Sequence, residues 1–228
     1  MRGVGIDPGT ISFDLCGLDG EQVILDESIP TAEVVANPLT LVNRLASIAP
    51  VDRIVGPSGY GAPWVPLSKA GEHTLNCVLL GGNRGQGRQK KPGDTIIGGM
   101  RRLLQVLRET DLPILLAPAV IHLPTVPAYR KVNRIDMGTA DKLCAVALSV
   151  YDQARHFNIS YGETSFIHVE VGGAFTAIIA VEDGKVVDGI GGSAGPFMLM
   201  GDGYNLDVNA GGDAGTFMIL GRLDDDSN

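Results

Sequence analysis

Cysteine is scarce in this sequence and none of it is paired by spacing. Cys16, Cys77 and Cys144 are odd in number, far apart and outside any Cys-x-x-Cys, which argues against a disulfide framework or a zinc site and for a reducing, cytoplasmic setting. Histidine is equally thin. His73, His122, His156 and His168 form no His-x-x-x-His or Cys-His grouping, so no transition-metal centre is expected. Positive charge is short as well: 18 Lys and Arg stand against 26 Asp and Glu, a formal net charge of −8, which repels phosphate backbones and argues against nucleic acid as the main partner. No long apolar run precedes Asp7, so no signal peptide is expected. The most membrane-like stretch, Leu112 to Tyr129, is interrupted by Pro113, Pro118, Pro124 and Pro127, which excludes a membrane partner. Neither Gly-x-x-x-x-Gly-Lys-Ser/Thr nor Gly-x-Ser-x-Gly occurs, removing the P-loop and the nucleophile elbow.

What the chain does have is an apolar strand that delivers a carboxylate into a tight turn. Val4-Gly5-Ile6-Asp7-Pro8-Gly9-Thr10 is followed at once by Phe13-Asp14-Leu15-Cys16-Gly17-Leu18. Glycine lets the backbone approach a ligand closely, free N–H groups and the Thr10 hydroxyl can donate to phosphate oxygens, and Asp7 can hold Mg²⁺ through its waters. The same residues also make an ordinary hairpin connection, because Pro presets φ and Gly accepts positive φ. A second copy favours the chemical reading. Phe166-Ile167-His168-Val169-Glu170-Val171-Gly172-Gly173 leads into Ala174-Phe175-Thr176-Ala177-Ile178-Ile179, again strand, carboxylate, Gly-rich turn, strand.

Two such hairpins resemble the paired phosphate loops of the actin, Hsp70 and sugar-kinase superfamily. Pro57-Ser58-Gly59-Tyr60-Gly61 and the run Arg134 to Lys142 sharpen the likeness to an archaeal family of unknown function described as predicted butyrate kinases. The resemblance covers about residues 1 to 195. It implies an α/β, ribonuclease-H-like, actin-type ATPase fold in which two halves face each other with ATP and Mg²⁺ between them. It also implies a kinase with a nucleotide and a small carboxylate as substrates. The alternative is a non-catalytic nucleotide sensor or assembly partner.

Taken in order, the chain reads as a three-stranded meander ending in Gln22 to Asp26 and a helix begun by Asn37-Pro38, with Leu41, Leu45 and Ile48 on one face. A strand Arg53 to Gly56 follows. Residues 61 to 94 carry little regular pattern and end in a cationic Gly-rich loop, read either as a lid bringing Arg84 or Arg88 to a phosphate or as a solvated loop. Asp94-Thr95 can cap a helix with Met100, Leu103, Leu104 and Leu107 on one face. A strand at Ile114 to Ala117 and a further helix, with Gly138-Thr139 at its start, complete a first domain expected to span residues 1–160. Residues 161–228 supply three strands of a second such half and then a Gly- and Asp-rich irregular tail. The crossover helices and the adenosine loop implied by the resemblance are not visible there. This second half is therefore expected to be incomplete, with self-association or a partner chain completing it.

The expected site residues follow from these two hairpins and from the remaining carboxylates. Asp7, Gly9 and Thr10 form one phosphate clamp, and Glu170, Gly172, Gly173 and Thr176 the other, with Asp7 and Glu170 serving the metal. Asp7, Asp136 and Asp141 are the candidate catalytic carboxylates, although Asp141 also suits the first turn of a helix, where it complements the dipole. Ser58 and Tyr60, at the end of a buried-type strand, are candidate acceptor contacts, and equally a plain structural turn. A carboxylate acceptor needs no general base, since it is already ionised.

Overall fold

A computed structural model describes residues 1–9, 11–79, 96–171, 176–192 and 216–219, with backbone alone at 96–97 and 216–219. Thr10, Gly172, Gly173, the loop carrying Arg84 and Arg88, and the Asp94-Thr95 cap lie outside the described residues. The chain divides into two compact units, Met1–Pro118 and Ala119–Asn228.

The first unit opens with β1 (Arg2–Pro8), β2 (Ser12–Asp19) and β3 (Gln22–Pro30), paired antiparallel in sequence order. Alternation explains why. Val4, Ile6, Phe13 and Leu15 are buried, while Gly5, Asp7, Asp14 and Cys16 face the other way. Two short helices follow, α1 (Thr31–Ala36) and α2 (Leu39–Ser47). Neither is long enough to hold in isolation, so the burial of Val34, Leu41 and Leu45 keeps them in place. Strand β4 (Arg53–Val55) runs parallel to β1. The stretch expected to lack pattern instead forms β5 (Val65–Pro66) and α3 (Glu72–Val78).

Helix α4 (Ile96–Arg108) buries Leu103, Leu104 and Leu107, the face foreseen from their spacing, and each such side chain stabilises by roughly 1.5–3 kcal/mol. Strand β6 (Ile114–Leu116) then enters parallel to β4, giving the sheet order β3-β2-β1-β4-β6-β5. Three antiparallel strands followed by parallel crossovers are the succession anticipated for a ribonuclease-H-like half, with β5 added antiparallel at one edge.

The second unit holds α5 (Ala128–Lys131), α6 (Ala140–Phe157), β7 (Phe166–Val171), β8 (Thr176–Glu182) and β9 (Lys185–Ile190). The break after Pro118 falls well before residue 160, because α6 packs on the second sheet: Val146 shares a core with Phe166, Ile179 and Val181. The tail is not wholly irregular. The β-prone run β10 (Thr216–Ile219) pairs antiparallel with β7, so the order is β10-β7-β8-β9. At the opposite edge, Arg130 donates to the Val187 carbonyl, Arg134 to that of Gly189 and Thr125 to that of Val186. These bonds occupy backbone acceptors that an edge strand otherwise leaves open. Among the described residues, no helix is long and apolar enough to cross a membrane.

Candidate functional site

Both meanders place a carboxylate at the penultimate residue of their first strand. In the first unit this is Asp7, directly opposite Asp14 on the exposed face of the β1–β2 pair. Like charges so opposed repel. Asp14 is partly compensated by hydroxyls, from Ser28 at 2.5 Å and Ser12 at 3.2 Å. The turn itself is pinned from α1: the Thr31 hydroxyl donates to the Gly9 carbonyl at 2.8 Å and the Thr31 N–H to that of Ile11 at 2.9 Å. Gly9 is required there, since a Cβ would stand 2.7 Å from the Ser12 carbonyl oxygen. Thus Gly9 and Ile11 are both tied to the first residue of α1, which holds the end of β1 against that helix.

Ser58 and Tyr60 lie in the turn after β4. Ser58 is buried, its Oγ accepting the Ala117 N–H at 2.8 Å, and Tyr60 is half-buried with its N–H on the Val78 carbonyl. The Ser58 hydroxyl therefore ties β4 to the chain leaving β6, which is the structural-turn role.

In the second unit, β7 and β9 run in the same direction, so Glu170, Thr176 and Gly191 come to one end of the sheet. One spacing on α6 and one on β7 bring further groups together. Lys142 and Ser149 are seven residues apart, two turns on one helix face, and His168 and Glu170 are two apart on one strand face. Ser149 Oγ lies 3.0 Å from His168 Nδ1, and Lys142 Nζ bonds Glu170 Oε1. The helix is accordingly antiparallel to β7, and its N-terminus sits where β7 ends.

Lys142 also pairs with Asp141 at 3.0 Å, and Thr139 donates to Asp141. Burial works against the Lys142 charge, but Asp141 and Glu170 outweigh it and hold its pKa above the ordinary lysine value. Burial likewise pushes the Glu170 carboxyl up, and the facing His168 ring with the Lys142 ammonium brings it below the ordinary glutamate value. The His168 contact is electrostatic: Nε2 is 3.9 Å from Glu170 Oε2, beyond hydrogen-bond reach. Asp136 is buried beside the end of β9. Its Oδ1 accepts the Gly138 N–H at 2.9 Å, and its carbonyl accepts that of Gly191 at 3.2 Å.

So the structure gathers Asp136, Asp141, Glu170 and Thr176 at one end of one sheet. Lys142, His168 and Asp14 were given no role from the sequence. The alternation His168-x-Glu170 and the seven-residue spacing of Lys142 and Ser149 were the available signals.

Among the described residues, no three His, Cys, Asp or Glu side chains gather closely enough to hold a metal ion. The two expected metal residues differ in fit. Asp7 and Asp14 offer paired hard oxygens on an exposed face, which suits Mg²⁺ that keeps most of its waters. The Glu170 carboxylate already holds an ammonium.

The family model described as "Protein of unknown function (DUF1464)" matches residues 5–207. The chain belongs to the DUF1464 family. No curated protein matches it. Among solved structures, the DUF1464 chain is similar to acetate kinase from Porphyromonas gingivalis, at 11% identity and a TM-score of 0.48 over 84% of this chain and 57% of that one. It is also similar to acetate kinase from Entamoeba histolytica, at 10% identity and TM-score 0.48 over 84% and 55%. A propionate kinase from Francisella tularensis subsp. tularensis gives 16% identity and TM-score 0.44 over 84% and 57%. The DUF1464 chain thus spans a little over half the length of these structures.

Proposed function

We propose that this DUF1464 chain is an ATP- and Mg²⁺-dependent phosphotransferase of the actin-like superfamily whose acceptor is a small carboxylate, as the resemblance to butyrate-kinase-like proteins implies. The observation that carries the reading is the repeated device. Each unit has a three-stranded antiparallel meander whose first strand carries a carboxylate at its penultimate residue, Asp7 or Glu170.

Phosphoryl transfer asks a protein mainly to position phosphates, neutralise charge and orient the acceptor. An acceptor carboxylate oxygen forms a bond to the γ-phosphorus as the bond from that phosphorus to the β–γ bridging oxygen breaks. ADP leaves with that electron pair, and no proton needs removal. Within the first unit the Gly9 backbone takes a phosphate oxygen, and within the second the Thr176 hydroxyl does. Asp7, with Asp14 opposite, would hold Mg²⁺, which supplies neutralisation of phosphate charge. Asp136 and Asp141 orient the Gly138-Thr139 segment at the start of α6, and Tyr60 serves the acceptor.

Nucleotide binding without transfer is the second reading, favoured by the buried Asp136 carboxylate being engaged with the Gly138 backbone. Release of ADP from Mg-ATP across a panel of short-chain fatty acids separates the two. Acid-dependent ADP release supports the phosphotransferase, and tight binding with no release supports the sensor.

A further inference from the structure

His168 is fully buried, and its Nε2 has no hydrogen-bond partner among the described residues. The neighbouring groups decide what that nitrogen carries. Ser149 Oγ lies 3.0 Å from both the Ala145 carbonyl and His168 Nδ1. If its hydroxyl went to Ala145, a neutral ring would hold its hydrogen on Nδ1 and aim a bare Nε2 lone pair at the Glu170 carboxylate. If the hydroxyl goes to Nδ1, the ring hydrogen sits on Nε2 and faces that carboxylate favourably. His168 therefore presents a buried donor 3.9 Å from Glu170 Oε2, and a shift of about 1 Å closes the bond.

Glu170 thus stands between two donors. In this structure it is on Lys142, whose ammonium is also paired with Asp141. We propose that Glu170 is a two-position carboxylate that moves onto His168 Nε2 when an anionic phosphate group takes Lys142, making Lys142 a phosphate-contact residue and His168 a positioning residue that receives the displaced carboxylate.

The proposal rests on reading this end of the second sheet as a phosphate site, and its location is consistent with that. The N-terminus of the 18-residue helix α6 adds backbone N–H groups and a favourable dipole beside Lys142. The ammonium remains partly accessible, at 18% side-chain exposure, and Glu170 is similar at 16%. A phosphate arriving at Lys142 repels Glu170, and among the described residues His168 is the buried donor placed to accept that carboxylate.

Inorganic pyrophosphate and Mg-ATP are the probes, titrated by calorimetry into the full chain, with thermal unfolding confirming that each variant is folded. Lys142→Met weakens pyrophosphate binding about tenfold or more, the size of a lost charge-assisted bond, and Lys142→Arg restores part of it. Glu170→Gln removes the competing carboxylate and strengthens binding severalfold. His168→Phe weakens binding in the native background but has no effect when Glu170→Gln is present, since there is no longer a charge to receive. That coupling is what a purely structural histidine does not produce.

Additive effects of His168→Phe and Glu170→Gln, with His168→Phe weakening binding equally in both backgrounds, or equal pyrophosphate affinity in Lys142→Met, overturn the proposal. If His168→Phe fails to fold, the opposite signs at Lys142 and Glu170 still decide it, and changes of the same sign overturn it. Mg-ATP separates this from the functional reading. ATP affinity insensitive to Lys142→Met overturns the inference and leaves nucleotide binding standing. Lys142-dependent pyrophosphate binding with no ATP binding supports the inference and removes the nucleotide.

Discussion

Gly191 packs against Asp136 so closely that a Cβ on the glycine would lie 1.8 Å from the aspartate's Oδ1. That contact fixes where the buried carboxylate stands relative to the end of β9. Gly191→Ala forces Asp136 aside, with an expected loss of about 1–3 kcal/mol, typical of overpacking. If Asp136 organises the site, the ADP-release rate of the folded variant falls much further than its stability, toward that of Asp136→Asn. A stability loss with unchanged turnover would confine Asp136 to a structural role.

Ser58 tests the opposite assignment. Its hydroxyl accepts the buried Ala117 N–H, so Ser58→Ala orphans a backbone donor and is expected to cost about 1–2 kcal/mol in denaturant unfolding. The KM for the acceptor acid is expected to stay unchanged in the folded variant. A raised KM with native stability would return Ser58 to the acceptor site.

Asp7 faces away from the core, on the exposed side of β1. Asp7→Asn should therefore leave the unfolding transition nearly where it was and remove the Mg²⁺ dependence of nucleotide binding. It also lessens the repulsion with Asp14. Unfolding of the variant would make Asp7 structural, and unchanged Mg-ATP affinity would take it out of the site.

His122 gives the second unit a pH dependence. Its Nδ1 accepts the Ala119 N–H at 3.0 Å, and burial, with the nearby Lys131 charge, lowers its pKa below the ordinary histidine value. A depressed folded pKa means that the unfolded chain takes up the proton first. The contribution is complete above about pH 6.5 and is lost as pH falls from there through the folded pKa. His122→Asn keeps an acceptor and removes the titration, so its melting temperature should fall less steeply below about pH 6.5. Identical slopes in the two proteins would contradict this.

The alternation of Val4, Ile6, Phe13 and Leu15 made the first meander legible, and the spacing of Leu103, Leu104 and Leu107 marked the buried face of α4. Period-two and period-3.6 burial are local signals, readable without knowing the partner. The pairing of Lys142 with Glu170 is not local. It depends on which face of α6 meets β7, 28 residues away in sequence, so no local pattern announces an ammonium beside Glu170. Helix α3 and strand β5 were missed for a related reason. Leu75 and Val78 are buried by tertiary contacts, in a stretch whose prolines and glycines obscure any period. The apolar face of α6 is visible in sequence, but the sheet it covers is not, so the division after Pro118 is not legible there.

The central claim is transfer of a phosphoryl group from ATP to a carboxylate, and it is tested most directly by trapping the product. Incubation of the full chain with Mg-ATP, each of a series of short-chain fatty acids and hydroxylamine should yield the matching acyl hydroxamate in step with ADP, with both lost in Asp7→Asn. ADP formed at the same rate with and without acid, or no hydroxamate from any acid despite bound ATP, would contradict it.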